Sequence, residues 1–166
     1  MIKKSVICIL VFSFVLITAC VSQATQNMRE RQARIASAIA SPGDQIVLIG
    51  DVSTSRTGIE FSLENRTTQT FNYGAAWDLA YYTNGTWRPV SDRPVSGGIA
   101  WILIGHWLQS GGIQQYQINW SWRFGELPPG RYMYIRGGWL GEDWNPDSVY
   151  ALVEFTITAD CHTYLP

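Results

Sequence analysis

The chain has 166 residues, with 12 basic and 13 acidic side chains, 46% hydrophobic residues and eight tryptophans. That near-neutral balance, with no basic stripe to neutralise a run of phosphates, speaks against nucleic acid as a partner. The length suits one domain with a workable core rather than several.

Lys3 and Lys4 precede an apolar run from Val6 to Ala19, and Ile17, Thr18, Ala19 and Cys20 close it. The run is shorter than the roughly 18 to 20 residues that span hydrocarbon, and it ends in small residues as a cleavage site does. This arrangement resembles the signal peptide and lipobox of a bacterial lipoprotein. The resemblance implies that residues 1–19 are removed, that the sulfur of Cys20 receives a diacylglycerol, and that the new amine is usually acylated. The protein is then expected to be exported and lipid-anchored at a bacterial cell membrane or outer membrane, with its domain outside the cytoplasm. Two or three acyl chains anchor stably where one myristoyl chain, at about 0.8 kcal/mol per buried methylene, holds only marginally. Val21 stands where an aspartate resembles an inner-membrane retention signal in some Gram-negative bacteria, which leans toward the outer membrane without deciding it.

Loss of the signal removes both lysines, so every remaining basic residue is an arginine. It also removes Cys8, and lipidation occupies Cys20, leaving Cys161 without an intrachain disulfide partner. Stability must then come from the aromatic and aliphatic core. Cys161 beside His162 lacks the further ligands that zinc needs and reads as part of a C-terminal tail, 161–166.

Residues 20–43 form the lipidated N-terminus and a tether. Between Ser22 and Ser41 the composition, including Met28, Glu30, Gln32, Ala33 and Ala36, suits either a loose tether or a short helix. Arg29, Arg31 and Arg34 fit a solvated linker and a segment resting on anionic headgroups equally well. Pro42 and Gly43 end the segment, and the domain is placed at 44–160.

From residue 44 the hydrophobic period becomes two. Ile59, Phe61 and Leu63 alternate with Glu60, Ser62 and Glu64, and Trp77, Leu79 and Tyr81 with Asp78, Ala80 and Tyr82. Asn84-Gly85 accepts the positive φ of a type I′ turn, so the chain should double back into Thr86, Trp87 and Arg88. Tyr116, Ile118, Trp120 and Trp122 share one face of a further strand, and Ala151, Val153, Phe155 and Ile157 one face of the last. The expected fold is all-β, an antiparallel sandwich of about seven or eight strands, although a small barrel satisfies the same pattern. The glycine-rich stretch Val95 to Gly112 reads as a loop or an additional strand.

Leu127, Pro128, Pro129, Gly130 and Tyr132 form the most specific internal element. The prolines stiffen a connection, Gly130 is expected to allow the reversal, and Tyr132 is placed to turn inward and bond back to the corner backbone. Together with Phe61 to Thr67, Tyr73-Gly74 and Trp87, this corner resembles a bacterial immunoglobulin-like domain of exported proteins. The resemblance implies an immunoglobulin-like sandwich and no established catalytic set. A related pattern in an intracellular bacterial proteinase-inhibitor domain keeps an envelope proteinase inhibitor as an alternative.

No nucleophile–base pair, Gly-x-Ser-x-Gly, His-Glu-x-x-His or phosphate loop can be assembled, so no enzyme, cofactor or metal is expected. Glu142, Asp143 and Asp147 gather oxygens that a calcium ion uses, but a polar turn asks for the same residues. Trp77, Trp87, Trp120 and Trp122 lie on strand faces and are expected to pack. Trp101, Trp107, Trp139 and Trp144 lie among glycines or turns, where exposed rings would contact a protein partner or stack on a surface glycan. The expected function is a non-enzymatic envelope lipoprotein whose domain binds a protein or glycan.

Overall fold

A computed structural model describes residues 25–41, 46–93, 104–143, 145 and 149–160. The expected signal peptide, Cys20, Trp101, Trp144, Asp147, Cys161 and His162 lie outside the described residues.

The chain divides into two compact units, Met1–Arg34 and Ile35–Pro166. In the first, residues 25–34 are helical, and Gln26 Nε2 donates to Glu30 Oε1 at 2.9 Å, one turn on. The second opens with the end of the same helix, α1, which spans 25–40. Of the two readings of this segment, the good helix formers have produced a helix rather than a loose tether. Packing also begins ahead of residue 44, because Ile35 and Ala38 are buried with Ala80, Met133, Ile135 and Tyr150.

Nine strands follow among the described residues: β1 Ile46–Thr54, β2 Gly58–Asn65, β3 Phe71–Gly74, β4 Asp78–Thr83, β5 Thr86–Pro89, β6 Gly105–Leu108, β7 Ile113–Asn119, β8 Gly130–Leu140 and β9 Val149–Ile157. They form two antiparallel sheets, β1-β2-β7 and a second in which β8 pairs β9 on one side and both β3 and β4 on the other. β6 extends the second sheet beyond β3, and β5 extends it beyond β4. β1-β2-β7 thus stand where A-B-E stand in an immunoglobulin-like sandwich, and β3/β4, β8 and β9 where C-F-G do.

The count exceeds the expected seven or eight because one strand is broken. Tyr73 pairs Gly138 and Asp78 pairs Ile135, so the β3/β4 side spends more residues than β8 over the same interval. The surplus at Ala75 to Trp77 is a bulge-like break that divides C into two pieces.

Between the sheets lie Ile59, Phe61 and Leu63 of β2, Phe71 and Tyr73 of β3, Tyr132 and Tyr134 of β8, and Ala151, Val153, Phe155 and Ile157 of β9. These are the inward positions that alternation predicts for β2 and β9. Trp120, wholly buried, stacks on Phe155 at 5.6 Å and donates its Nε1 to the Arg56 carbonyl at 3.0 Å. The Asn84-Gly85 turn has φ of 48° and 77°, the positive pair that a type I′ hairpin requires.

Alternation fails in two places, for different reasons. On β4, Asp78 and Ala80 are buried although they oppose Leu79: the end of α1 covers the outer face at Ala80, and the buried Arg123 side chain lies against Asp78. Tyr81 and Tyr82, nearer the hairpin, are exposed instead. Trp122, expected to pack, is 49% exposed, since β7 ends at Asn119 and the chain turns, with the Phe124 N–H donating to the Trp120 carbonyl at 2.8 Å. A turn erases the two-residue period on which that expectation rested.

Candidate functional site

β3 carries Phe71 and Tyr73 into the core, so Asn72 between them faces outward. Asn72 stands in register with Trp107 on β6 and with Trp139 on β8. Residues in register share a face, which places Trp107, Asn72 and Trp139 in one row across three strands. Two strand spacings put the outer members about 10 Å apart. Trp107 is 68% exposed and Trp139 half-buried. The Asn72 amide is held by the Gly141 carbonyl at 2.6 Å and the Thr70 carbonyl at 3.3 Å. The row is therefore an aromatic surface with a fixed polar centre, on the part of the sheet's outer face away from Ala80.

Of the four tryptophans expected to contact a ligand or partner, the structure brings Trp107 and Trp139 together, while Trp101 and Trp144 fall outside the described residues. Sequence reasoning missed Asn72; a single polar residue between two aromatic inward positions was the available signal. Ile104 and Ile113, flanking β6 and opening β7, are 51% and 59% exposed.

The corner residues lie before and at the start of β8. The Tyr132 hydroxyl donates to the Pro128 carbonyl at 2.8 Å, and its ring stacks on Phe155 at 5.7 Å. Leu127 is buried, and its N–H donates to the Arg56 carbonyl at 2.8 Å. Gly130, expected to allow the reversal, opens β8 without a positive φ. The positive φ in this region, 75°, belongs to Gly125, whereas a Cβ on Gly130 would meet the Tyr132 ring at an ordinary 3.4 Å.

Two charged clusters had no sequence signal stronger than strand parity. Arg136 follows Tyr132 and Tyr134 on the inward face of β8 and is 6% exposed; its Nε donates to the Tyr134 hydroxyl at 2.7 Å. Its guanidinium carbon lies 5.1 Å from the ring centres of both Tyr73 and Tyr116. Burial pushes the Tyr134 hydroxyl up to about 12, against an opposing pull from Arg136, and burial with the Tyr73 bond raises Tyr116 as well. Arg123, in the turn after β7, binds Asp92 at 2.6 Å and the Trp77 carbonyl at 2.7 Å.

No arrangement for catalysis emerges from these groups. His106 is exposed and stacks on Tyr73 at 5.4 Å. Among the described residues no three His, Cys, Asp or Glu side chains gather as a metal set, and Glu142 and Asp143 are exposed in the turn after β8. A groove of about 610 Å³ over β1, β2 and β7 is lined largely by polar residues, including Ser53, Thr54, Glu60, Gln117 and Asn119, with Gln117 already bonded to Glu60 at 2.7 Å. Among the described residues no helix is long and apolar enough to cross a membrane.

No curated protein matches the sequence. The family model of the bacterial Ig-like domain matches residues 49–137, more than half of the chain, from within β1 to within β8. Fold and match agree, and the chain belongs to the bacterial Ig-like domain family.

Proposed function

We propose that the protein is a non-enzymatic, membrane-anchored lipoprotein of the cell envelope whose Ig-like domain meets a protein partner through the outer face of β6, β3 and β8. The observation that carries this reading is the row of Trp107, Asn72 and Trp139. An aromatic ring 68% exposed on an outer strand supplies the apolar anchor that an interface centre uses, and Asn72 supplies a polar group whose orientation is already fixed. The anchor rests on the lipobox ending at Cys20, with the sandwich as its exported cargo.

Photo-crosslinking in intact envelopes tests the face. A photoreactive residue at 107 is expected to capture a discrete partner that one at the exposed Thr156 does not; equal capture at both sites would remove the reading. Fatty-acid labelling tests the anchor separately, and label retained by Cys20→Ala would remove it.

The same row favours a second reading, a surface glycan stacked on the two rings. Quenching of tryptophan fluorescence by envelope polysaccharide, lost in Trp107→Ala, separates it from protein binding. An envelope proteinase inhibitor would present an extended rigid loop, and no observation on the described residues favours that alternative.

A further inference from the structure

Arg136 is a buried cation whose surroundings are aromatic rather than acidic. Strand parity sends it inward beside Tyr134, and at 6% exposure it is almost wholly withdrawn from water. The Tyr134 hydroxyl accepts a hydrogen bond from its Nε–H, and the rings of Tyr73, Tyr116 and Tyr134 surround the guanidinium carbon at 5.1, 5.1 and 5.7 Å. Ring faces stabilise a cation but do not replace the acceptors that its N–H groups have in water. Among the described residues no carboxylate lies within ion-pairing distance of it, and neither Nη atom donates to a protein acceptor.

None of the fully buried side-chain nitrogens and oxygens described is left without a partner. The two Nη atoms are therefore not fully enclosed, and the little exposure that Arg136 keeps includes them. Their surroundings lie where the sheets end: Tyr116 is on β7, the edge of one sheet, and Tyr73 pairs His106 on β6, at the edge of the other. The Tyr73 ring that faces the guanidinium also carries a second donor. The Tyr116 hydroxyl donates to the Tyr73 hydroxyl at 2.6 Å, so Tyr73 keeps its own proton for another acceptor.

A planar fork with two open N–H groups, one full positive charge and an adjacent hydroxyl donor matches a carboxylate. Both Nη atoms can meet its two oxygens, and the single negative charge balances the site. A phosphate dianion would bring a second charge into a wall of tyrosines, with no second buried cation on the described residues around it. We propose that Arg136 and the Tyr73 hydroxyl form a binding site for a carboxylate, entered at the sandwich edge between β6 and β7. Tyr116 and His106 lie at that edge beside Arg136 and Tyr73, so the group that fits is a single carboxylate on a slim stem. This site is separate from the outward row of Trp107, Asn72 and Trp139, and it stands or falls independently of the proposed partner contact.

The test is a titration of the full chain with sodium acetate, against sodium chloride at equal ionic strength and sodium phosphate at equal concentration. It is followed through the Arg136 Nε–H signal and the backbone amides from Tyr134 to Gly138. The expected result is a saturable change with acetate, at most a weak one with chloride, and no tighter response to phosphate. Arg136→Lys keeps the charge but loses the fork, and should weaken acetate binding by roughly tenfold or more. Should Arg136→Lys fail to fold, Tyr73→Phe keeps the ring against the guanidinium while removing the donor, and it should weaken binding severalfold. A response that chloride reproduces, one that does not saturate, or one unchanged in the variants that fold would overturn the site. Tighter binding of phosphate would overturn its assignment to a carboxylate.

Discussion

Arg123 and Asp78 stand 3.6 Å apart with side chains only 6% and 3% exposed. The same guanidinium lies 4.6 Å from the Phe124 ring centre and binds the more exposed Asp92 at 2.6 Å. The turn after β7 is thereby fixed to the start of β4, across the break that separates β3 from β4.

Removing one member of a buried pair leaves the other charge desolvated. Arg123→Met is expected to lower the unfolding free energy by about 3–5 kcal/mol in a urea titration. Arg123→Met with Asp78→Asn should recover part of that loss. No recovery would assign the loss to the bonds with Asp92 and the Trp77 carbonyl instead.

Asn65, wholly buried, donates Nδ2 to the carbonyls of Gln69 and Leu108, each at 2.8 Å, and accepts from the Thr67 N–H at 3.0 Å. It ties the β2–β3 loop to the end of β6. Asn65→Asp preserves the shape but sets an oxygen against two carbonyls, and should cost at least about 3 kcal/mol. Thermal unfolding of the two proteins side by side checks this.

Gly138 leaves no room for a side chain. A Cβ there would collide with the Asn72 carbonyl and lie 2.5 Å from the Phe71 ring. Gly138→Ala should destabilise by about 3 kcal/mol or more, at the upper end of overpacking costs. Gly105→Ala on β6 meets open space and should stay within about 0.5 kcal/mol of the parent. Similar melting temperatures for the two variants would contradict this packing of β3 on β8.

Alkaline pH should unfold the sandwich through its tyrosines. Tyr134 ionises at about 12 when folded against its ordinary 10.0, and Tyr116 and Tyr132 are also raised, chiefly by burial. Below pH 10 both folded and unfolded chains keep these protons, and stability is flat. From pH 10 to about 12 the unfolded chain releases the Tyr134 proton that the folded chain retains, so stability falls by about 1.4 kcal/mol per pH unit for this tyrosine, and the raised Tyr116 and Tyr132 act in the same direction. Tyrosinate absorbance should rise together with loss of the β circular dichroism signal. Tyr116→Phe should make the decline above pH 10 shallower, and an identical slope would contradict the shift.

The sandwich was legible because its strands are regular. Ile59, Phe61 and Leu63, and likewise Val153, Phe155 and Ile157, alternate as strands with one core face must, and Asn84-Gly85 announced its own turn. The break between β3 and β4 was not legible, since Ala75 and Ala76 carry no periodic signal and the surplus residues show only against β8. The covered outer face was hidden for a related reason: whether Ala80 meets water depends on Ile35 and Ala38, far away in sequence. Trp107 and Trp139 were legible as candidates from their glycine-rich settings. Their shared row depends on both pairing Asn72, a register that no local pattern records. Arg136 escaped attention because an inward arginine contradicts the alternation rule, and that conflict between local chemistry and fold was itself the signal.

Within residues 35–40, only Ile35 and Ala38 are buried. Burying one isoleucine and one alanine contributes on the order of 3 kcal/mol, far less than the core between the sheets provides. The end of α1 should therefore detach and return many times while the sandwich stays intact, and its amides should exchange with solvent hydrogen well before those of β8. Each excursion uncovers Ala80, Met133, Ile135 and Tyr150, a sticky patch that the resting protein conceals. A shortened chain beginning at residue 44 would expose that patch permanently and should self-associate.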